Sequence, residues 1–380
     1  MKASTSGVAF ASSHDADPLD AMRAIAAQLD LSALAGALVF CSYRFDKDAL
    51  ASAIRTVCGS LPVIGCTSSG ELTEAGYDEN SIAFIGFKAS VFQFLTHRFP
   101  DIEAFEPASA RELIRALAAQ ADSDARAFEG DVNHAALFLV DGLSHSEELL
   151  TMTIQEALGE IPLIGGSSGD GLLFRETSVF HDGYFHSSSA VVAILSTTRP
   201  LRAFKAQHYR ASSTKMVVTE ADPAERRVIE INAEPAVQEY CRLAGWSPED
   251  LSTSLFAAHP PMVRAGGEYH VRSIQAAHED GSLSFYCAID EGIVLTIGEP
   301  IDVVANLDSL LNEIDSSIGG IDHIVGFDCV LNRIVATERQ ISREVSSMMT
   351  KHRVVGFSTY GEQYHALHVN QTFSGLAIGQ

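Results

Sequence analysis

The sequence predicts an α/β fold of the mixed α+β type. Helices cover sheets that contain both parallel and antiparallel strands. Two observations lead to this prediction. A short Gly- and Ser-rich motif occurs three times in the 380 residues, each time with similar surroundings. The apolar runs 37–41 and 135–140 do not alternate with polar residues, which is typical of strands that are covered on both faces.

The repeated motif reads PVIGCTSSGE at residues 62–71, PLIGGSSGD at 162–170 and RVVGFSTYGE at 353–362. Each copy follows a helix, an apolar strand and a second helix, and precedes a polar loop and another apolar strand. The strand-helix-strand step favours a parallel pair with a right-handed crossover. The unit is therefore helix-strand-helix-strand-loop-strand, which is compatible with αββα layering. We expect Gly65, Gly165 and Gly356 at equivalent turns.

The elements of the three copies follow from apolar periodicity. Each copy has a first helix, a strand, a second helix and a trailing strand in addition to the motif. In order these are 18–29, 37–41, 48–57 and 82–87 in the first copy, 108–121, 135–140, 147–158 and 190–195 in the second, and 303–314, 324–327, 339–349 and 376–378 in the third.

The chain divides into two predicted domains, at 1–199 and 200–380, with the boundary near Thr198–Pro200. The first contains two copies of the unit. The second begins with a strand-rich region, about 202–301, and ends with the third copy. One helix, 235–243, lies in the strand-rich region and is stopped by Gly245 and Pro248.

Charge and cysteine usage exclude several function classes. Lys and Arg number 26 against 49 Asp and Glu, a formal net charge of −23, so nucleic acid and anionic membranes are poor partners. No signal peptide or membrane-spanning segment is visible, and we expect a cytoplasmic protein. The six cysteines form no C-x-x-C pair, which favours buried thiols in a reducing compartment.

One enzyme motif matches formally, because residues 165–169 satisfy the G-x-S-x-G pattern of a hydrolase with Ser167 as nucleophile. That motif requires a helix directly after the serine, but residues 170–175 read as a loop that leads to a strand. The equivalent positions in the other copies do not carry the pattern. We therefore favour a repeat turn, expect no catalytic residues, and predict that the protein is not an enzyme.

The first motif copy also contains candidate ligand-binding residues. Hydroxyls and free backbone N–H groups of a Gly-rich turn can hold a small polar ligand such as a carboxylate. A purely structural turn is the alternative. The ligand-loop candidates are Cys66, Thr67, Ser68, Ser69, Gly70 and Glu71.

His259 is the main candidate for an axial haem ligand. Pro260 and Pro261 stiffen the backbone that presents its imidazole, and the apolar residues Leu255, Phe256, Met262 and Val263 could exclude water from the iron. His270 and His186, each in a strand-like context, are the alternatives. A capping or buried structural histidine is the competing interpretation, and no metal other than haem iron is predicted.

The motif at 62–71 resembles the signature of the FIST N domain. The segments 230–236, 258–264, 269–274 and 326–330 are similar to the FIST C domain. The resemblance runs from about residue 30 to the end and makes 1–199 a FIST N-type and 200–380 a FIST C-type domain. It implies a bacterial signal-transduction protein of the sensor type.

Two-domain members with this layout resemble the nitric-oxide-sensing haemoproteins called NosP. That resemblance implies haem b as cofactor, nitric oxide as ligand and regulation of a partner histidine kinase. The alternative is a haem-free sensor of a small metabolite resembling an amino acid. Because no kinase or DNA-binding region is visible, we expect output through contact with another signalling protein, and an oligomer is compatible with the sequence.

Overall fold

The computed structural model describes residues 6–380 and confirms the mixed α/β class. The chain forms three similar β/α units, which we call the body, and one inserted region, residues 208–302, within the third unit. No helix in this described part of the chain is long and apolar enough to cross a bilayer.

The three units share one order of strands and helices, except that the third has two helices rather than one between its parallel strands. The first contains β1 (Val8–Ser13), α1 (Pro18–Ala26), β2 (Leu34–Ser42), α2 (Lys47–Cys58), β3 (Val63–Ser68), β4 (Glu71–Thr73), β5 (Gly76–Asp78) and β6 (Ile82–Lys88). The second contains β7 (Phe92–Phe99), α3 (Pro107–Ala125), β8 (Asn133–Val140), α4 (Glu147–Leu158), β9 (Leu163–Ser167), β10 (Val179–His181), β11 (Tyr184–His186) and β12 (Ala190–Thr197).

The third unit begins with β13 (Leu201–Gln207), and its remaining elements follow the inserted region. The inserted region contains β14 (Tyr209–Asp222), β15 (Arg227–Ile231), β16 (Glu234–Pro235), α5 (Ala236–Ala244), α6 (Thr253–Ala258), β17 (Pro261–Ala265), β18 (Glu268–Val271), β19 (Ile274–Ala277), β20 (Leu283–Phe285) and β21 (Val294–Pro300). The unit then resumes with α7 (Val303–Ser317), β22 (Ile321–Cys329), α8 (Val330–Glu338), α9 (Ser342–Lys351), β23 (Val354–Thr359), β24 (Glu362–Tyr364), β25 (Leu367–Val369) and β26 (Thr372–Gly379).

Each unit supplies four strands of a six-stranded sheet, and another unit supplies the last two. The sheets run β1-β6-β2-β3-β10-β11, β7-β12-β8-β9-β24-β25 and β13-β26-β22-β23-β4-β5. The central pairs β2/β3, β8/β9 and β22/β23 are parallel, as the crossover predicts, and the outer pairs are antiparallel. The three hairpins are thus exchanged in a cycle, so each unit completes its neighbour.

The core explains why the central strands are apolar on both faces. One face of β2 packs on α1 and α2, whereas Leu38 and Phe40 on the other face join a cluster that all three sheets share. Leu137 and Phe327 enter the same cluster from β8 and β22. The layering is therefore helix over sheet over a common core, with three sheets around that core rather than two stacked ones.

The motif glycines lie at equivalent positions, but inside strands rather than at turns, so the turn expectation is wrong. A Cβ on Gly65 would lie 2.0 Å from the Val39 carbonyl oxygen, and one on Gly165 would lie 1.8 Å from the Phe138 oxygen. A Cβ on Gly356 would lie 1.8 Å from the Gly326 oxygen. Only glycine permits this close approach of the parallel neighbour, which explains its presence in all three copies.

Two features of the units differ from the sequence expectation. Each unit opens with an edge strand, β1, β7 or β13, that the predicted unit lacks, because half-polar runs such as 92–99 give a weak strand signal. The predicted helix 339–349 corresponds to α9, and a further helix, α8, precedes it; Gln340 between the two has a left-handed φ of 59°.

The inserted region has its own mixed core, in which α5 and α6 pack on strands around Tyr240. Its largest sheet path runs β18-β17-β21-β14-β15-β20-β19, and β16 pairs with β15. Its two ends meet where Ile301 N donates a hydrogen bond of 2.9 Å to His208 O. The region therefore leaves and re-enters the body through two adjacent strands.

Candidate functional site

Two buried carboxyl groups fix the exchanged hairpins of the first and third units. Glu71 begins β4 and Glu362 begins β24, and neither residue is exposed. Burial raises the pKa of Glu71 to about 7 and that of Glu362 to about 8, against the lowering effect of hydrogen bonds from neighbouring hydroxyls. Those hydroxyls are Ser68 and Ser81 for Glu71, and Thr359 and Thr372 for Glu362.

The predicted ligand loop lies where the turns of the three units meet. Thr67 N donates to Ser178 O and Ser69 N donates to Ser358 O, both at 3.0 Å. The side chain of Cys66 is fully buried, and burial raises the pKa of its thiol. Ser68 bonds to Glu71, and Gly70 O accepts a hydrogen bond from Ser358 N. In the first copy these groups therefore hold the units together.

The second unit receives the hairpin β24–β25 from the third unit, and the residues at this contact differ from those at the two equivalent contacts. On the first strand of each exchanged hairpin, one residue pairs with a motif glycine of the neighbouring unit. These three residues therefore occupy equivalent positions. On the second strand of each hairpin, the residue that pairs with a member of this first set is also at an equivalent position. The first set is Leu72, Phe180 and Gln363, and the second is Tyr77, Phe185 and His368. Two of the three sites have an aliphatic or aromatic pair, whereas the site over α4 has a buried amide and a buried imidazole.

A small polar cavity adjoins His368. It has a volume of about 60 Å³, which exceeds the roughly 10–15 Å³ that one water needs. Its walls include Glu147 of α4, Ser167 at the end of β9 and Arg226 of the inserted region. Tyr360 closes it from the third unit. The cavity therefore lies at the carboxyl end of a parallel strand, where α/β proteins commonly bind ligands.

Ion pairs join the body to the inserted region at this cavity. Glu147 Oε1 lies 2.8 Å from Arg226 Nη2, and the two side chains are only 4% and 9% exposed. Glu148 lies 3.2 Å from Arg272 in a second pair. Burial lowers the pKa of His368, although Glu147 opposes the shift, so the imidazole is neutral at pH 7. The cavity thus combines the ion-paired Glu147 and Arg226 and the neutral imidazole of His368 with two further polar residues of its lining, Glu225 and His145.

Several buried polar atoms near the cavity have no hydrogen-bond partner in the described part of the chain. They are Glu147 Oε2, Gln363 Oε1 and both amide atoms of Asn370. Asn370 lies near His368, because a Cβ at Gly361 would be 2.4 Å from His368 Cε1 and 3.2 Å from Asn370 Nδ2. Buried orphan groups of this kind cost stability unless something binds them. Three of these four atoms are acceptors, so the site favours a hydrogen-bond donor.

A loop found only in the second unit covers one side of the cavity. Residues 168–178 connect β9 to β10, whereas residues 69–70 and 360–361 make the equivalent links. Asp170 accepts hydrogen bonds from the Tyr360 hydroxyl and, at 2.9 Å, from Phe174 N. The Phe174 and Tyr360 rings stack with centroids 4.5 Å apart. The third unit therefore holds this loop in place.

Ser167 borders the cavity, but its surroundings differ from those of a hydrolase nucleophile. Gln363 Nε2 donates to Ser167 Oγ at 2.9 Å, and the same nitrogen lies 3.1 Å from His368 Nδ1. An amide therefore separates the serine from the imidazole that would activate it. The residues after β9 form a loop, as the sequence predicted, rather than the helix of a nucleophile elbow.

The three histidines proposed as haem ligands do not line the polar cavity. His259 ends α6, and its ring lies 5.3 Å from that of Trp246. Burial lowers its pKa, so it is neutral and chemically suited to iron. The predicted walls Phe256 and Met262 pack into two different clusters, however. The predicted walls of a haem pocket at His259 are therefore divided between two clusters.

The alternative haem ligands are engaged in polar contacts. His270 Nδ1 lies 3.4 Å from Lys205 Nζ, and its Nε2 lies 3.3 Å from Ala265 O. His186 Nε2 lies 3.2 Å from His181 O. A haem at His270 would have to displace one of its two partners, because both ring nitrogens are engaged.

Sequence reasoning missed Glu147, Arg226, Gln363 and His368 as a group. Glu147 was predicted as the start of a helix, and His368 follows the third motif copy in its polar loop. A signal was present, because aligning the third motif copy with the first sets Gln363 against Leu72. The inserted region's contribution, Arg226, carried no such signal.

Comparison with known proteins identifies the class. Residues 35–234 match the FIST N domain and residues 236–365 match the FIST C domain. Because the first match alone covers more than half of the chain, the protein belongs to the FIST family. FIST domains are signal-transduction sensor domains that bind small ligands, rather than catalytic domains. No curated protein matches the chain.

Proposed function

We propose that this protein senses a small polar metabolite with an ammonium group, such as a small amino acid, in the cavity between α4 and the inserted region. One observation carries the proposal. At three equivalent positions the body has Phe180 with Phe185, Leu72 with Tyr77, whose hydroxyl donates to Asp328, and the buried pair Gln363 and His368, in which both side chains are polar. Burying these polar groups costs stability, so a role in ligand binding accounts for them best.

The chemistry of the cavity favours this class of ligand. The lining residue Glu147 has a buried oxygen, Oε2, that lacks a donor among the described residues. Gln363 Oε1 and Asn370 Oδ1, of residues that lie beside the lining residue His368, also lack donors there, and an ammonium group supplies three. Arg226 borders the same space and can bind a carboxylate. The volume of about 60 Å³ restricts the ligand to a compact molecule.

Binding would act on the contact between body and inserted region. A ligand at Glu147 or Arg226 competes with the ion pair that joins the two parts. The positions of the two parts would then depend on occupancy, and a partner protein that contacts both would detect the change. The proposed output is contact with a signalling protein such as a histidine kinase.

A thermal-unfolding titration tests the proposal. Glycine, alanine and serine are compared with methylamine and acetate, because a ligand specific for the native state raises the melting temperature. We expect an increase with at least one amino acid that is lost in Glu147→Gln and retained in the control Glu160→Gln, whose side chain is exposed. Equal increases in both variants would refute the site.

Haem binding, with nitric oxide sensing, is the second candidate and rests on the family resemblance and on the neutral imidazole of His259. An absorbance spectrum of protein expressed with a haem supply tests it. The hypothesis predicts a Soret band and about one haem per chain. His259→Ala should abolish or shift this band, whereas His14→Ala should leave it unchanged. A wild-type spectrum in His259→Ala would exclude this ligand.

A further inference from the structure

A second cavity lies on the other junction between the body and the inserted region. It is an open groove of about 630 Å³ beside the strands through which the inserted region leaves the body. Lys205 and Tyr364 of the third unit form one wall, and Glu268 and Tyr269 of β18 form the opposite wall. This volume is within the range of small-molecule sites.

Lys205 is the unusual group in this groove. Its side chain is 8% exposed, yet Glu268 at 3.2 Å, its one ion-pair partner within residues 6–380, is 71% exposed. The ammonium also lies 3.4 Å from His270 Nδ1 and 5.6 Å from the centre of the Tyr364 ring. A pair with such an exposed partner contributes little to stability, so another carboxylate can replace Glu268 at little cost.

The groove is locally cationic although the chain is strongly acidic. Lys205 and Arg210 line it, and Lys215 Nζ and Arg264 Cζ lie 5.4 Å and 6.0 Å from the centre of the Tyr269 ring. The acidic residues in ion pairs with this group are Glu268 and Glu299. Four cations against two carboxylates leave a local excess of positive charge.

We infer that this groove binds a small planar aromatic carboxylate, with its carboxylate on Lys205 and its ring between Tyr269 and Tyr364. Tyrosine rings favour stacking or edge contacts with such a ring. Because His270 Nε2 faces a backbone carbonyl, its Nδ1 can accept a hydrogen bond from Lys205 and orient the ammonium. The ligand would bridge the body and the inserted region. The inference does not depend on the polar cavity.

Calorimetric titration of the full chain with benzoate tests the inference. Benzamide lacks the charge and acetate lacks the ring, so each should bind at least ten-fold more weakly than benzoate. Lys205→Met should weaken benzoate binding at least ten-fold, whereas Glu268→Gln should strengthen it several-fold by removing the competing carboxylate. Lys351→Met changes the net charge equally at an exposed ion pair and should have no effect.

Some results would overturn the inference. The inference is contradicted if benzoate does not bind at millimolar concentration. It is also contradicted if benzoate binds Lys205→Met and Lys351→Met with equal affinity. Acetate that binds as tightly as benzoate removes the role of the rings. If Lys205→Met fails to fold, Tyr269→Leu takes its place, and unchanged benzoate affinity in that variant is equally contradictory.

Discussion

Replacing the buried polar pair Gln363 and His368, where the hairpin β24–β25 joins the second unit, should separate the effect on stability from the effect on ligand binding. The double variant Gln363→Leu/His368→Phe installs an apolar pair like those at the two equivalent sites, Leu72 with Tyr77 and Phe180 with Phe185. If the polar pair is kept for a ligand, its removal should not weaken the fold. If the pair is structural, the fold should weaken.

The structure sets the expected magnitude. Gln363 has one orphan oxygen, whose burial costs about 1–3 kcal/mol, and two hydrogen-bond contacts, each contributing about 1 kcal/mol net. Gln363→Leu alone leaves Ser167 Oγ and His368 Nδ1 unpaired and should destabilise by about 1–2 kcal/mol. The double variant leaves only Ser167 and should be neutral or more stable by about 1–2 kcal/mol.

Urea unfolding of the wild type, both single variants and the double variant measures these values. The cycle should give a coupling free energy of about 2 kcal/mol between Gln363 and His368. The double variant should also lose the thermal response to the ligand. A double variant that is destabilised by more than about 3 kcal/mol, as for a structural polar network, would refute the reasoning.

Two further predictions concern the carboxyl groups and the loop. Because burial raises the pKa of Glu71 to about 7 and of Glu362 to about 8, the folded state holds protons that the unfolded chain, with a pKa of about 4.3, releases. The free energy of unfolding should therefore fall by several kcal/mol, roughly 6 kcal/mol from the two groups together, as pH rises from about 5 to 8. Glu71→Gln/Glu362→Gln should flatten this profile and the exposed control Glu279→Gln should not; an unchanged slope in the double variant contradicts the assignment. Tyr360→Phe removes the hydroxyl that bonds to Asp170, so thermolysin should cut the loop 168–178 several-fold faster than in wild type, and equal rates would show that the hydroxyl does not hold the loop.

Much of the body could be predicted because its signals are local. The central strands are apolar on both faces, and the second helix of the second unit, Glu147–Leu158, has the predicted bounds. All six cysteines are buried free thiols, as their spacing indicated. The edge strand 92–99 escaped because its outer half is polar and its pattern resembles a loop.

The hairpin exchange could not be predicted, because pairing between units leaves no periodicity in either partner. The predicted ligand loop 66–71 illustrates the consequence. Its N–H groups look free in sequence, but Thr67 N donates to Ser178 O and Ser69 N donates to Ser358 O from the other units. The buried hydroxyl of Ser69, by contrast, has no hydrogen-bond partner among the described residues. The polar cavity is equally non-local, since Glu147 and Arg226 come from distant parts of the chain and meet only when the inserted region packs on α4.

The most direct test of the central claim is a crystal structure with the amino acid that raises the melting temperature most. The account predicts density for that ligand in the polar cavity, with its ammonium within hydrogen-bond distance of Glu147 Oε2 and Gln363 Oε1. Ligand density at any other place, with Glu147 still paired to Arg226 and the cavity holding only water, would contradict it.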